Sequence, residues 1–148
     1  MKGSSGKKAA TQANSAVNDN SPKKPKAQSK KERAFTYILQ HPRGATENDI
    51  LRNVGLSSGR NYFTQLERLY GFELTRVNDD NPDGIGTHLR YGFSSLDIAN
   101  AILKEINASR ARRRAGALTI EQEADLIEPV LDLLYEIQLK RNGKDDNK

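Results

Sequence analysis

The stretch that decides the fold runs from residue 46 to residue 74 and reads TENDILRNVGLSSGRNYFTQLERLYGFEL. It opens with Thr46-Glu47-Asn48-Asp49, a variant capping box in which the Thr46 hydroxyl caps a helix and Asp49 reaches back. Ile50, Leu51 and Val54 follow at helical spacing, and Gly55 ends the helix. Ser57 or Ser58 then caps another helix, predicted to reach about Tyr70 and to close at Gly71. On a wheel of about 100° per residue, Tyr62, Phe63, Leu66, Leu69 and Tyr70 share one arc of roughly 120°. Arg60, Asn61, Thr64, Gln65 and Arg68 fill the opposite arc, with Glu67 at its margin. The apolar arc implies packing on the preceding helices. The polar arc holds the residue types that suit base edges: Arg for guanine, Asn or Gln for adenine, Thr for the thymine methyl. A merely solvated helix face is the plainer reading of the same residues.

Outward from this stretch, Phe72 to Asn78 and His88 to Phe93 read as strands. Phe72 and Leu74 share one face of the first, and Leu89, Tyr91 and Phe93 one face of the second. Between them, residues 79–86 are Asp, Asn, Pro and Gly-rich, turn chemistry too long for a tight hairpin. On the N-terminal side, Ala34, Phe35, Ile38 and Leu39 predict a helix beginning near Glu32 and stopped by His41-Pro42-Arg43-Gly44. Residues 1–31 are Lys, Ser, Ala, Asn, Gln, Gly and Pro with few apolar side chains, so they are predicted to be a disordered basic tail. On the C-terminal side, Leu96, Ile98, Ala99, Ile102, Leu103 and Ile106 predict a helix over about 95–108, followed by a basic connector, residues 110–116. Thr119-Ile120-Glu121-Gln122 starts a last helical stretch to about Lys140, with Pro129 predicted to kink it or to begin a second helix. Its stripe of Ile120, Ala124, Ile127, Val130, Leu131, Leu134 and Ile137, widened by Leu126 and Leu133, implies packing back on the domain or self-association as a homodimer.

The expected organisation is a tail (1–31), a domain (32–93) and a C-terminal helical region (94–148), mainly α with a small β-hairpin. The order capped helix, glycine turn, polar-faced helix and hairpin over Arg33 to Phe93 resembles the winged helix-turn-helix superfamily of DNA-binding domains. That resemblance rests on element order and apolar spacing. It implies a third helix in the major groove and a hairpin, the wing, against phosphates or the minor groove. By it, Arg60, Asn61, Thr64, Gln65 and Arg68 are groove candidates, and Arg76, His88 and Arg90 are wing candidates. The wing loop departs from the pattern, because Asp79, Asp80 and Asp83 would repel a phosphate backbone.

The 148 residues are 35% hydrophobic and lack Trp, which bounds the chain to one small core plus appendages. Residues 1–34 hold nine Lys/Arg against two acids, residues 35–93 six against seven, and residues 94–148 nine against ten. The positive charge therefore belongs to the tail, an electrostatic handle for a polyanion. Within it, Ser21-Pro22-Lys23-Lys24-Pro25-Lys26 resembles the Ser-Pro-Lys-Lys motifs of linker-histone tails, which makes Lys23, Lys24 and Lys26 candidate DNA contacts. The same residues fit a nuclear import signal.

Other chemistry finds little support. Cysteine is absent, which excludes disulfides and thiolate sites. The two histidines are far apart in sequence, and no Gly-Lys-Ser/Thr phosphate loop is present. Asp79-x-Asn81-x-Asp83-Gly84 opens like an EF-hand, but Arg90 stands where a bidentate Glu belongs. His88, Arg90 and Tyr91 are residue types of a tyrosine strand-transfer site, in a chain too short for that domain. Neither an enzyme, a metal, a cofactor nor a small-molecule ligand is expected. No apolar run approaches the ~20 residues that span a bilayer. The expectation is a sequence-specific double-stranded DNA-binding protein, a transcriptional regulator, cytoplasmic and nucleoid-associated in a prokaryote or virus and nuclear in a eukaryote. Two alternatives stay open: a protein-interaction adaptor on the same scaffold, and an architectural or replication accessory protein with little sequence preference.

Overall fold

The computed structural model describes residues 28–146; the predicted tail, with Lys23, Lys24 and Lys26, lies outside them apart from its last four residues. The order is α1 (Lys30–Gln40), β1 (Ala45–Thr46), α2 (Glu47–Val54), α3 (Gly59–Tyr70), β2 (Thr75–Asp80), β3 (Thr87–Gly92), α4 (Leu96–Arg112) and α5 (Ile120–Asp146). Helix α1 starts before its apolar residues because Ser29 caps it, its Oγ accepting from the Glu32 N–H at 3.1 Å.

Both halves of the predicted box at α2 form: Thr46 Oγ1 accepts from Asp49 N (2.9 Å) and Asp49 Oδ2 from Thr46 N (3.0 Å). Gly55 ends α2 at φ 78°, where a side chain would be strained, and its N–H donates to Ile50 O and Leu51 O. Ser58 does occupy the N-cap position of α3, but it sits in left-handed backbone (φ 59°) and its side chain makes no capping bond. The expected serine cap is therefore corrected. The Asn61 N–H closes instead on the Ser58 carbonyl at 3.0 Å.

The expected hairpin is part of a three-stranded antiparallel sheet of order β1-β3-β2. Ala45 faces Tyr91 and Thr46 faces Arg90, while the β2–β3 ladder runs from Thr75↔Gly92 to Asp80↔Thr87. The first hairpin strand begins at Thr75, three residues later than predicted. Glu67 captures the Leu74 N–H at 2.8 Å, and Phe72 stacks on Tyr70 (ring centroids 6.4 Å apart). That segment is thereby tied to α3 instead of to a partner strand. Leu89 also departs from expectation: it remains exposed, while Tyr91 and Phe93 are buried.

The core lies around α1. Phe35, Ile38 and Leu39 pack with Ile50 of α2, Phe63 and Leu66 of α3, Tyr91 of β3, Phe93, Ile102 and Ile106 of α4, and Val130 of α5. Leu69, predicted to share the inner arc of α3, is 51% exposed, because the core ends one turn earlier at Leu66. Helix α4 continues to Arg112, so most of the predicted basic connector is helical or a tight turn. The cause is a buried carboxylate on α1: Glu32 accepts from Arg110 Nη1 at 3.1 Å and from Arg113. Beside it, Glu105 is bound by Arg112 (3.0 Å), Lys31 (3.6 Å) and the Tyr70 hydroxyl (2.9 Å). Burial, and then the Glu105 carboxylate, push the Tyr70 hydroxyl pKa up to about 12, so it stays a donor.

Helix α5 starts with a reciprocal Thr119–Gln122 box and runs unbroken through Pro129. Packing of Leu126, Ile127, Val130 and Leu134 on either side of the proline outweighs its missing N–H. The helix thus folds back along α1 and α4 with part of its apolar surface. No helix among the described residues is long and apolar enough to cross a membrane.

Candidate nucleic-acid interface

Helix α3 is held by its inner side. Phe63 stacks on Tyr91 with ring centroids 4.2 Å apart, and Tyr62 meets Phe35 edge-on at 6.2 Å. These contacts orient the opposite side outward. Arg60, Asn61 and Arg68 are exposed there, and Thr64 and Gln65 half-buried. The Thr64 hydroxyl bonds back to Arg60 O (3.1 Å) and Asn61 O (3.2 Å), which leaves its methyl as the outward group. The side chains of Arg60, Asn61, Gln65 and Arg68 make no hydrogen bond or ion pair among the described residues.

Glu67, the acid at the margin of this arc, is drawn aside. Its carboxylate takes a fork of two bonds from Arg76, Nη1 to Oε2 at 2.9 Å and Nη2 to Oε1 at 2.8 Å, besides the Leu74 N–H. The Arg76 fork holds the Glu67 carboxyl below its ordinary value of 4.5. A depressed carboxylate adds stability above its ordinary pKa, and that contribution fades as pH falls through the folded value. Glu67→Gln is therefore expected to melt below the parent at neutral pH and to converge with it in acid. Thermal melts between about pH 3 and 7 check this, and a gap that persists unchanged into acid would contradict it.

The wing candidates are placed differently from the groove candidates. Adjacent rungs of the ladder, Arg76↔Tyr91 and Val77↔Arg90, put Arg76 and Arg90 on opposite faces of the sheet. Arg76 lies over the Tyr91 ring, 5.1 Å from its centroid, while engaged with Glu67. Arg90 Nε donates to Asp79 Oδ2 at 2.7 Å and its Nη1 to Arg43 O at 2.7 Å. Its stem lies against Gly44, where an added Cβ would collide with it. Arg90 in turn holds the Asp79 carboxyl below its ordinary range. His88 Nδ1 meets Asn81 Oδ1 at 2.8 Å. The loop closes on itself, with Asn81 Nδ2 donating to Ile85 O (2.7 Å) and Ile85 N to Asp83 Oδ1 (2.9 Å). The two wing arginines and His88 are thus occupied within the protein. Among the described candidate residues, Arg60, Asn61, Gln65 and Arg68 are the ones whose side chains make no hydrogen bond or ion pair.

Between the α2–α3 turn and the hairpin lies a cleft of about 570 Å³ with an apolar floor of Leu51, Leu89 and Tyr91. Its rim brings Arg60 beside Asn48, Ser57, Ser58, Asn78 and Thr87. None of those five rim residues is a candidate site residue from the sequence, because they come from separate segments with no shared periodicity. Glu47 also lines it, its Oε2 3.5 Å from the Arg60 N–H. No group of three or more His, Asp or Glu among the described residues is placed to hold a metal ion. Comparison with protein-family models, with curated proteins and with solved structures finds no match for this chain.

Proposed function

We propose that this is a sequence-specific DNA-binding protein, a transcriptional regulator, that reads the major groove with α3. The observation that carries the reading is the outward side of α3. The side chains of Arg60, Asn61, Gln65 and Arg68 stand there without partners among the described residues, and Glu67 is turned away into Arg76. Arg and Asn or Gln are the side chains that recognise guanine and adenine through paired bonds. The order α1-β1-α2-α3-β2-β3, with β3 between β1 and β2, resembles the winged helix-turn-helix arrangement and supports the same reading. Since Arg76 and Arg90 are spent on Glu67 and Asp79, backbone contacts fall to the ends of α3 and the cleft rim. The basic tail adds sequence-independent attraction that falls with salt.

Random-oligonucleotide selection with the full chain tests this. Selection is expected to converge on a defined site. Arg60→Ala and Asn61→Ala are each expected to relax preference at individual base pairs by about 1–3 kcal/mol. Variants that bind and discriminate like the parent would defeat the assignment of this face. The neutralised wing favours one other reading, a protein-docking adaptor on the same scaffold. For that reading, selection yields no site and the two variants are silent.

A further inference from the structure

We propose that the cleft between the α2–α3 turn and the hairpin binds a guanine base, held by Glu47 and Arg60 over a floor of Leu51 and Leu89. Leu89 lies two positions before Tyr91 on the same face of β3, and Tyr91 is fixed from behind by its stack on Phe63. That face of the strand is thereby aimed at the helix pair, and Leu51 of α2 completes the floor. The two leucines are 51% and 38% exposed, large apolar side chains left in water at the bottom of a concavity of about 570 Å³. A cleft of that size, apolar beneath and polar at its edge, has the build of a small-ligand site. It is roomy enough for a bicyclic base with its sugar.

The charges at the edge say which ligand fits. Glu47 and Arg60 both line the cleft, yet among the described residues they form no ion pair with each other or with any third residue. Glu47 Oε2 reaches only the Arg60 backbone N–H, at 3.5 Å, and its Oε1 has no hydrogen-bond partner among the described residues. One open carboxylate and one open guanidinium sum to no net charge. They favour a neutral ligand that brings donors to the first and acceptors to the second over a simple anion or cation. Guanine does both: N1–H and N2–H are parallel donors that match a carboxylate fork, while O6 and N7 accept from a guanidinium fork. Adenine lacks the donor pair, and the pyrimidines lack N7. The proposal needs the cleft alone and does not rest on the reading of α3.

Methyl NMR of the full chain, titrated with guanosine in the absence of duplex, tests this. The Leu51 and Leu89 methyls are expected to shift along a saturating curve, while those of Leu131 and Leu139, similarly exposed on α5, stay still. Adenosine, and inosine, which differs from guanosine only by the missing 2-amino group, are each expected to bind about tenfold more weakly. Glu47→Ala is expected to abolish the difference between guanosine and inosine, and Arg60→Ala to weaken both alike. Both side chains are exposed, so each variant keeps its fold. Tighter binding of the single strand TTGTT than of guanosine would place the base in an unpaired strand, and weaker binding would make it a free nucleoside. No shift at the solubility limit of guanosine, shifts shared with Leu131 and Leu139, equal binding of adenosine, or variants that bind like the parent would each overturn the proposal.

Discussion

Glu32→Ala is expected to lower the unfolding free energy by about 3–5 kcal/mol, read from the midpoint of a urea titration. The Glu32 side chain is only 1% exposed, and it accepts bonds from Arg110, Arg113 and Gln28 Nε2 (3.0 Å). Removing the carboxylate takes from two largely buried guanidinium groups the acceptor they share, which costs more than the pair itself contributes. The same substitution in an Arg110→Ala, Arg113→Ala background is therefore expected to cost much less. An equal loss in both backgrounds would mean that Glu32 acts by packing alone.

Phe63→Ala is expected to cost a similar amount, about 3–5 kcal/mol, by opening a cavity in the centre of the core. Its second effect is more specific. Phe63 is fully buried and stacks on Tyr91, and Tyr91 carries Arg76 above its ring. Losing the Phe63 ring therefore loosens the seat of the Arg76–Glu67 pair as well as the core. Hydrogen exchange is expected to quicken in β2 and β3 more than in α1, whose contacts with α4 remain. Uniform quickening would show a general loss of stability instead.

These two residues also mark what the sequence could reveal. The caps of α2 were legible because Thr46, Asp49 and Gly55 satisfy backbone groups within a few positions of themselves. The inner arc of α3 was legible through Phe63 and Leu66, but Leu69 was not, since periodicity does not tell where a core stops. Strand β1 has only two residues and exists through pairing with Tyr91 and Arg90, a long-range fact with no local signature. Residues 110–114 read as solvated because four of the five are charged; a single acid, Glu32, nearly eighty positions earlier draws two of them inward. The groove candidates were found by residue type and spacing. That Glu67 and Asp79 would neutralise Arg76 and Arg90 could not be found that way, because those pairings depend on strand register and on how α3 meets the sheet.

The clamp on Glu32 also sets the order in which this protein can assemble. Helix α1 leaves the ribosome before α2 to α5, and Ile50, Phe63 and Leu66 follow soon enough to cover part of Phe35, Ile38 and Leu39, yet the arginines that neutralise its buried acid arrive 78 and 81 residues later. Until then α1 is only partly covered, and Glu32 lacks both of its arginines. Closing that long loop comes late and all at once, so folding during synthesis waits for the turn after α4 rather than proceeding helix by helix.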